Sequence, residues 1–432
     1  MNKEIMYAHN VLKAVYFDDA YSSIELNKIL KNSALENLNK QLITKIVYGV
    51  LEKDIYLSYV VGLFCNKKPD VKTELLLKVG IYILKFVNSI PPFACVNEIV
   101  ELCKKQNSKF VSGFLNATLK KISVSEIKLP SEKNKVEYLS IKYSYPKWFV
   151  EKLLQEHDLD FVVNLLEYSL TTLTHVRILT EKISVEDFFK NLAENQIEFE
   201  KSPINFGVYL NYSKLLKNSF LSDCCVPQGV PSIVVGENVP KNSKIDVLDL
   251  CSAPGGKSIL VAQNNPNGRI ISCDISEKRL KLVKEYADKL KIKNIAYKVN
   301  DATILNEKWI EKFDVVLCDV PCSNLGICNK KPDVLLRKTP NNIKQLVPIQ
   351  RKIIKTAANY VKNGGLLIYS TCTILNDENN GIIQEFLSNN KNFEAIELNT
   401  FNINVIKENE AVTFIPHLSD TEGFFIGGLR KK

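Results

Sequence analysis

Arginine, histidine and tryptophan are scarce in this chain of 432 residues, which contains six Arg, four His and two Trp. It has eleven cysteines, but no two are spaced as Cys-x-x-Cys, which argues against a zinc site. No apolar run approaches the length of a membrane span, and the N-terminus has no apolar core of signal-peptide length. We therefore expect a cytoplasmic protein with reduced thiols, no metal and no membrane association.

Size and charge limit the possible classes of protein further. The length predicts two to four domains, and the composition, 45% hydrophobic and 24% charged, is typical of globular proteins. The formal net charge of +9 comes mostly from Lys and suits a polyanionic partner such as RNA. A codon bias towards Lys explains the same excess, so charge alone leaves both interpretations open.

The hydrophobic pattern divides the chain into four parts. Residues 1–125 have helical periodicity throughout, most clearly at 8–18, 38–53, 71–86 and 96–105, and predict an all-helical domain. Residues 126–140 are polar, contain Pro130 and predict a linker. Residues 141–240 mix short helices, one of them starting near Pro146, with extended runs, and predict a small α+β unit. Residues 241–432 form the last part.

In residues 241–432, apolar strand-like runs alternate with amphipathic helices. The predicted strands are 246–250, 269–274, 295–300, 313–319 and 366–371, and the predicted helices are 257–263, 276–290, 342–361 and 377–387. This alternation predicts a doubly wound α/β domain with a largely parallel sheet. Such sheets bind ligands beyond the carboxyl ends of their strands, so the residues that follow each strand are the candidate functional residues.

The first predicted strand runs into a glycine turn, Cys251-Ser-Ala-Pro-Gly-Gly-Lys-Ser258, that opens a helix. A phosphate loop of the form GxxxxGK[ST] would need Gly at position 251, and the GxGxxG fingerprint is absent, so neither nucleotide motif is matched. Asp274 ends the second strand, where a carboxylate commonly binds a ribose diol. Asn300-Asp301 ends the third strand and could reach an adenine edge.

Two cysteines follow the next two strands, in Asp319-Val-Pro-Cys322-Ser and in Ser-Thr-Cys372-Thr. A lone Cys after a strand is usually a small buried hydrophobe, but these two have polar neighbours. Carbon 5 of cytosine becomes nucleophilic only after a thiolate adds to C6, and a second group must then assist proton removal and release. No histidine follows a strand of this sheet, so a Cys–His hydrolase is poorly supported.

At these residues the chain resembles the RNA 5-methylcytosine methyltransferase family. It is most similar to the bacterial subfamily that methylates small-subunit (16S) ribosomal RNA and carries an N-terminal domain like the antitermination factor NusB. The phrases that carry the resemblance, in family order, are DLCSAPGGKS, CDISEKRL, DVVLCDVPCSNLG, GGLLIYSTCTILNDEN and EGFFIGGLR. The resemblance implies a NusB-like helical domain, an α+β middle unit and a Rossmann-like domain with a seven-stranded sheet, one strand of it antiparallel.

The resemblance also implies a role for each motif residue. Cys372 would be the nucleophile, Cys322 would release the covalent adduct, and Asp319 would lie near the methyl group and the target base. S-adenosylmethionine would be held by these residues: Cys251, Ser252, Ala253, Pro254, Gly255, Gly256, Lys257, Asp274, Arg279, Asp301 and Asp319. The C-terminal runs 411–416 and 423–429 would form the last hairpin of the sheet.

The implied partner is 16S rRNA, bound by a monomer before the subunit is fully assembled, with RNA contacts from the helical domain. Lys330, Lys331, Arg337 and Lys338 form either a phosphate-binding cluster or a solvated loop. The chain has Gln228-Gly-Val-Pro-Ser and Arg177-Ile-Leu-Thr where relatives have an acidic residue and an Asn, which puts RNA docking and cofactor-pocket closure in question. Transfer RNA or large-subunit rRNA as substrate, and a non-catalytic RNA-binding module, stay open as alternatives.

Overall fold

The computed structural model describes residues 3–30, 39–105, 109–171, 173–241 and 244–432. The chain divides into two compact units. The first unit contains residues 1–167 together with 328–338, and the second contains residues 168–327 together with 339–432. Within the described part of the chain, no helix is long and apolar enough to cross a membrane.

The first unit is helical. Its described helices are α1 (Lys3–Phe17), α2 (Ser22–Leu30), α3 (Lys40–Glu52), α4 (Asp54–Phe64), α5 (Val71–Phe86), α6 (Pro92–Lys104), α7 (Lys109–Val124), α8 (Lys135–Tyr143), α9 (Lys147–Glu156) and α10 (Leu159–Glu167). The four helices predicted in residues 1–125 are confirmed as α1, α3, α5 and α6, although Leu38 lies outside the described residues.

Helix α5 lies at the centre of this unit. Every residue from Leu75 to Ile83 is buried, as expected of a helix that has neighbours on all sides. The helix begins at an N-cap, Asp70, whose carboxylate accepts hydrogen bonds from the backbone N–H groups of Lys72 and Thr73. Helices α1, α3, α4, α6 and α7 contact it, and together they form one hydrophobic core.

The residues from 126 to 167 continue this helical unit. Helix α8 already begins at Lys135, and Ser144 after it has a left-handed φ of 64°. The Ser144 hydroxyl accepts hydrogen bonds from the N–H groups of Ile55 (3.0 Å) and Tyr56 (3.2 Å), which lie in the first turn of α4. This cap explains why 141–167 lie with the helices before them, whereas the sequence grouped them with the residues that follow. The sequence-based boundaries at 125, 140 and 240 stay predictions.

Residues 328–338 return to the first unit and contain helix α17 (Asp333–Arg337). The buried Asp333 carboxylate accepts a hydrogen bond from the backbone N–H of Ser22, at 3.4 Å. Arg337 donates to the Asp19 carboxylate and to the carbonyl of Ala20, and its guanidinium lies over the ring of Tyr21. The guanidinium is therefore held by internal partners, which disfavours Arg337 as the phosphate contact that the basic cluster suggested.

The second unit begins with a small antiparallel sheet. Its strands are β1 (Thr174–Ile178), β2 (Phe199–Lys201), β3 (Gly207–Leu210) and β4 (Cys225–Pro227), in the order β2-β3-β1-β4. The helices α11 (Val185–Glu194), α12 (Tyr212–Leu215), α13 (Ser219–Asp223) and α14 (Val230–Glu237) lie between or after these strands. The predicted helix followed by a strand at 184–200 is confirmed as α11 and β2.

The larger sheet of the second unit has nine strands among the described residues, in the order β11-β12-β13-β9-β8-β5-β6-β7, with β10 beside β13. The strands are β5 (Asp246–Asp249), β6 (Arg269–Asp274), β7 (Ile295–Val299), β8 (Phe313–Asp319), β9 (Val361–Thr371), β10 (Phe393–Ala395), β11 (Ile406–Glu408), β12 (Ala411–Phe414) and β13 (Phe424–Lys431). The helices are α15 (Gly256–Asn264), α16 (Glu277–Lys289), α18 (Pro340–Tyr360), α19 (Asn380–Asn389) and α20 (Pro416–Ser419).

Seven of these strands, β5 to β9 with β12 and β13, form the core of the sheet that was expected. Strands β5 to β9 are parallel, and β13 runs antiparallel between β9 and β12. The three-residue strands β10 and β11 extend this core. The predicted last hairpin is confirmed as β12 and β13. The strand order reverses beside β5, so the ends of β5, β6, β8 and β9 meet at one edge of the sheet.

Candidate active site

The turn after β5 brings the backbone close to helix α16. Gly255 has a φ of 112°, and a Cβ there would lie 2.9 Å from Cγ1 of Val283, so the position requires glycine. The backbone N–H and hydroxyl of Ser252 both donate to the carbonyl of Cys273, at 2.8 and 3.0 Å. Arg279 donates to the carbonyl of Ala253 at 2.9 Å. The turn is therefore fixed from both sides, and α15 begins at its end with free N–H groups.

Three polar side chains at the ends of β6 and β7 have the chemistry needed to bind a nucleoside. Asp274 is buried, accepts a hydrogen bond from the N–H of Ser276 and lies 3.3 Å from Arg279 Nη1. Hydrogen bonds from Thr303 lower the pKa of Asp301, so that carboxylate is charged. The amide nitrogen of Asn300 is buried and has no hydrogen-bond partner. Two carboxylates, an unused amide donor and a helix N-terminus fit the ribose, adenine and carboxylate groups of S-adenosylmethionine.

Cys251 differs from the other residues of the turn. Its side chain packs against the hydrophobic core between the sheet and α18, and burial raises the pKa of its thiol well above the usual value. The thiol is therefore a packing group in this structure, and any contribution to cofactor binding would come from its backbone. Among the described side chains, no group of three or more His, Cys, Asp or Glu could hold a metal ion.

Asp249, the last residue of β5, is a fully buried carboxyl group beneath the glycine turn. It accepts a hydrogen bond from the Ser258 hydroxyl at 2.6 Å, and its second oxygen has no partner. Burial raises its pKa from 3.8 to about 7, and the Ser258 hydrogen bond only partly opposes this. Asp249 opens the quoted motif DLCSAPGGKS but was given no role, because nothing in the pattern shows that a carboxyl group at a strand end is buried.

Asp249→Asn is expected to stabilise the protein more at pH 8 than at pH 5. The folded state binds the Asp249 proton more tightly than the unfolded state, so the free energy of unfolding of the natural protein falls as pH rises from about 4 to 7. Asparagine keeps the shape without the charge and should recover about 2–4 kcal/mol at pH 8. Urea unfolding at both pH values measures the difference. Equal effects at pH 5 and pH 8 would contradict the raised pKa.

Lys257 and Asp319 form an ion pair where α15 approaches the end of β8. The Nζ–Oδ2 distance is 2.7 Å, and the other carboxylate oxygen accepts a hydrogen bond from the Ser370 hydroxyl at 2.8 Å. Burial lowers the pKa of Lys257, but the attraction of Asp319 outweighs it and raises the pKa overall. The ammonium group also lies 5.2 Å from the centre of the Phe424 ring. The pair is therefore a charged, fixed group at the rim of the sheet.

The two cysteines predicted at the rim lie against each other. The Cys322 and Cys372 sulfur atoms are 3.3 Å apart. The hydrogen bond with Cys372, together with burial, raises the pKa of the Cys322 thiol well above its ordinary value. Cys322 therefore holds its proton, while Cys372 is partly exposed. The carboxamide of Asn324 lies beside both sulfur atoms, 2.8 Å from Cys372 and 3.8 Å from Cys322.

A buried hydrogen-bond network fixes the loop that carries Cys322. The Glu378 carboxylate accepts hydrogen bonds from the backbone N–H and the side-chain hydroxyl of Ser323, and from the side-chain amide of Gln350. Close backbone packing holds the other side of the loop, since a Cβ on Gly326 would lie 2.0 Å from the carbonyl oxygen of Gly423. The loop therefore has little freedom to move away from Cys372.

The two segments that depart from the family pattern also lie at this site. Gln228 lies beneath the glycine turn, where its side chain accepts from Arg177 at 2.8 Å and donates to the carbonyl of Gly256 at 3.1 Å. The two segments that depart from the family pattern thus support the turn. The structure brings Lys257, Asp319, Cys322 and Cys372 together at one rim, and Asp274 and Arg279 beside the glycine turn. The roles given to these residues stay predictions.

Sequence reasoning missed three contacts of this rim, those of Asn324, Ser370 and Phe424. Asn324 and Ser370 lie inside quoted motifs, so their positions at strand ends were a usable signal. Phe424 lies in β13, more than 160 positions after Lys257, and the two meet only through the packing of the finished sheet.

The order of the sheet, the glycine turn and the acidic residue at the end of β6 define a Rossmann-like methyltransferase domain. Residues 238–430 match the family model of 16S rRNA methyltransferase RsmB/F, and residues 4–124 match that of the NusB family. A protein of Bacillus subtilis named probable ribosomal RNA small subunit methyltransferase B is 30% identical over 431 residues, covering 96% of each chain. A Synechocystis protein of the same name is 26% identical, covering 98% of each chain.

A solved structure has the same fold. The crystal structure of PH0851 matches with a TM-score of 0.82 at 24% identity, covering 100% of this chain and 99% of its own. With the full-length match to the Bacillus subtilis protein, the relationship is clear: the chain belongs to the 16S rRNA methyltransferase RsmB/F family and carries an N-terminal NusB domain. The resemblance stated from the motifs is confirmed.

Proposed function

We propose that this protein transfers a methyl group from S-adenosylmethionine to C5 of a cytosine in 16S rRNA, through a covalent bond between Cys372 and C6 of the base. The observation that carries the proposal is the 3.3 Å separation of two sulfur atoms beside the Lys257–Asp319 pair. A cytosine-C5 reaction needs one sulfur to add and a second group to assist elimination. Methyl transfer to an oxygen or an exocyclic nitrogen has no use for such a pair.

The cofactor would be held by the glycine turn and the strand ends next to it. Asp274 would accept hydrogen bonds from the ribose hydroxyls, Asp301 and Asn300 would face the adenine, and the N-terminus of α15 would face the methionine carboxylate. When bound, S-adenosylmethionine supplies an electrophilic methyl group. Arg279 supports this site through its hydrogen bond to the carbonyl of Ala253.

Different residues act on the base in the addition step and in the elimination step. The Cys372 thiolate forms a bond to C6, while Asp319 faces the pyrimidine near N3 and favours the protonated ring. Carbon 5 then has enamine character and takes up the methyl group. Removal of the C5 proton returns electrons to the ring, the bond between C6 and Cys372 breaks, and the thiolate leaves. Cys322, which holds its proton before the reaction, passes it to the leaving Cys372 sulfur 3.3 Å away, and the resulting Cys322 thiolate takes up the C5 proton.

The substrate assignment follows from the family and from charge. The curated relatives are named for the small ribosomal subunit, and the chain has a net charge of +9. A base inside a helix is out of reach of a rim site, so the target must be single-stranded or leave its stack, at a cost of about a few kcal/mol. We propose that a monomer acts in the cytoplasm on 16S rRNA before subunit assembly is complete, with the NusB domain binding RNA.

Methyl transfer from labelled S-adenosylmethionine to RNA from a strain that lacks this gene tests the proposal. Label is expected in 16S rRNA and in one cytosine, located by bisulfite sequencing. Transfer RNA and large-subunit rRNA serve as competing substrates, and assembled subunits as a second form of the target. Label in either competitor but not in 16S rRNA would refute the assigned substrate. Cofactor binding without transfer to any RNA would refute the enzyme.

A further inference from the structure

Asn324 has an unusual backbone and an unusual position. Its φ of 63° is left-handed, a conformation that Asn and Asp tolerate better than other residues with a side chain. It directly precedes the 3-10 turn Leu325–Ile327. This backbone turns its carboxamide towards Cys372, and its backbone N–H also hydrogen-bonds the Cys322 thiol. One residue therefore contacts both sulfur atoms.

We propose that Asn324 is a positioning residue that orients the Cys372 sulfur and stabilises its thiolate. The inference rests on the proposed function, in which Cys372 is the nucleophile. A carboxamide suits both forms of the sulfur, because half a turn about its Cβ–Cγ bond exchanges an acceptor for a donor. The thiol donates to Oδ1, as in this structure, and the thiolate accepts from the Nδ2–H group. A charge-assisted hydrogen bond of the second kind is the stronger of the two.

Other charged and titratable groups also act on Cys372. Cys322 faces it from the loop after β8, and Lys257 interacts with it electrostatically from α15. Asp319 is paired with Lys257, and Glu378 lies beneath the Cys322 loop. A substitution at position 324 changes none of these residues, but it also removes the contact of the carboxamide with Cys322 at 3.8 Å, so alkylation of the Cys322 peptide is measured beside that of the Cys372 peptide.

Two substitutions preserve the left-handed backbone. Asn324→Gly removes the carboxamide, and Asn324→Asp keeps its shape but brings a negative charge next to the sulfur. The matched controls are Asn409→Gly and Asn409→Asp, because Asn409 has a φ of 49° and is exposed between β11 and β12. An Asn324→Ala variant would add backbone strain and is the poorer choice.

The test is the pH dependence of Cys372 alkylation by iodoacetamide in the full chain, followed by mass spectrometry of the Cys372 peptide. Asn324→Gly is expected to raise the pH of half-maximal alkylation by about half a unit, the equivalent of one lost hydrogen bond. Asn324→Asp is expected to raise it by about one unit or more, as a like charge does at this distance. The Asn409 variants should match the natural protein.

The inference would be overturned if the alkylation profile of Asn324→Gly equalled that of the natural protein. A shifted profile of the Asp variant would not rescue it, because the added charge shifts the profile whether or not the native carboxamide has a role. If circular dichroism shows that the Gly variant is unfolded, Asn324→Ala, which also lacks the carboxamide and adds no charge, takes its place, and an unshifted profile overturns the inference. The assay needs neither RNA nor cofactor. Its failure is therefore distinguishable from failure of the proposed methyl transfer, which is measured separately as turnover on 16S rRNA.

Discussion

Cys372→Ala is expected to lower methyl transfer to RNA by at least about 10³-fold, because the sulfur that forms the bond to C6 is removed and the neighbouring Cys322 holds its proton. Cys322→Ala is expected to act differently. It leaves the nucleophile in place and removes the group that assists release, so a protein–RNA adduct should accumulate. Denaturing gel electrophoresis with labelled RNA measures the adduct, which should survive detergent in the Cys322→Ala variant and be absent from the Cys372→Ala variant.

The test depends on the difference in adduct formation between the two variants. Cys224→Ala is a suitable control, because Cys224 is another buried cysteine of the same unit and does not lie at the rim. It should show full turnover and no trapped adduct. Adduct in both rim variants, or in neither, would be incompatible with the separate roles given to the two sulfur atoms.

Asp319→Asn is expected to reduce turnover by about 10²–10⁴-fold, the range found for groups that assist proton transfer. The substitution keeps the shape of the side chain but removes the charge that holds Lys257 and accepts from Ser370. Addition to C6 should fail, so the double variant with Cys322→Ala should no longer accumulate adduct. Single-turnover methyl transfer and the adduct assay together measure the two effects.

A control for this substitution lies in the same strand. Asp314, near the opposite end of β8, pairs with Lys362 at 2.9 Å, away from the sulfur atoms. Asp314→Asn should therefore leave methyl transfer within about twofold of the natural protein, since surface ion pairs contribute little. Full activity of the Asp319→Asn variant would exclude the carboxylate from the reaction, whatever the cysteines do.

The central parallel strands were predictable because burial on both faces leaves a continuous apolar run. Strands β6 and β8 have the bounds read from the sequence, at 269–274 and 313–319. The start of β9 was not predictable. It begins at Val361 because that residue pairs with Phe313 across an irregularity in the ladder, and Gly364 with its φ of 77° follows. A pattern of apolar residues contains no information on such a local break.

The residues of the candidate site that end or follow strands were predictable, but the contacts between their side chains were not. Residues that follow parallel strands must share one edge, and this rule alone brings Asp319, Cys322 and Cys372 together. The distances that give these groups their chemistry depend on side-chain packing. The contact of Lys257 with the Phe424 ring and the burial of Asp249 became known only with the structure, since neither follows from spacing along the chain.

The return of residues 328–338 to the helical unit has a consequence for biosynthesis. Domains generally fold as they leave the ribosome, beginning with the N-terminal one. Here the N-terminal unit lacks one of its own segments until residue 338 has been translated, about 170 positions after its tenth helix ends. Until then, the backbone N–H of Ser22 lacks its acceptor Asp333, and the carboxylate of Asp19 lacks its donor Arg337. The helical unit can therefore complete its contacts only after residues 168–327 of the second unit have also been translated.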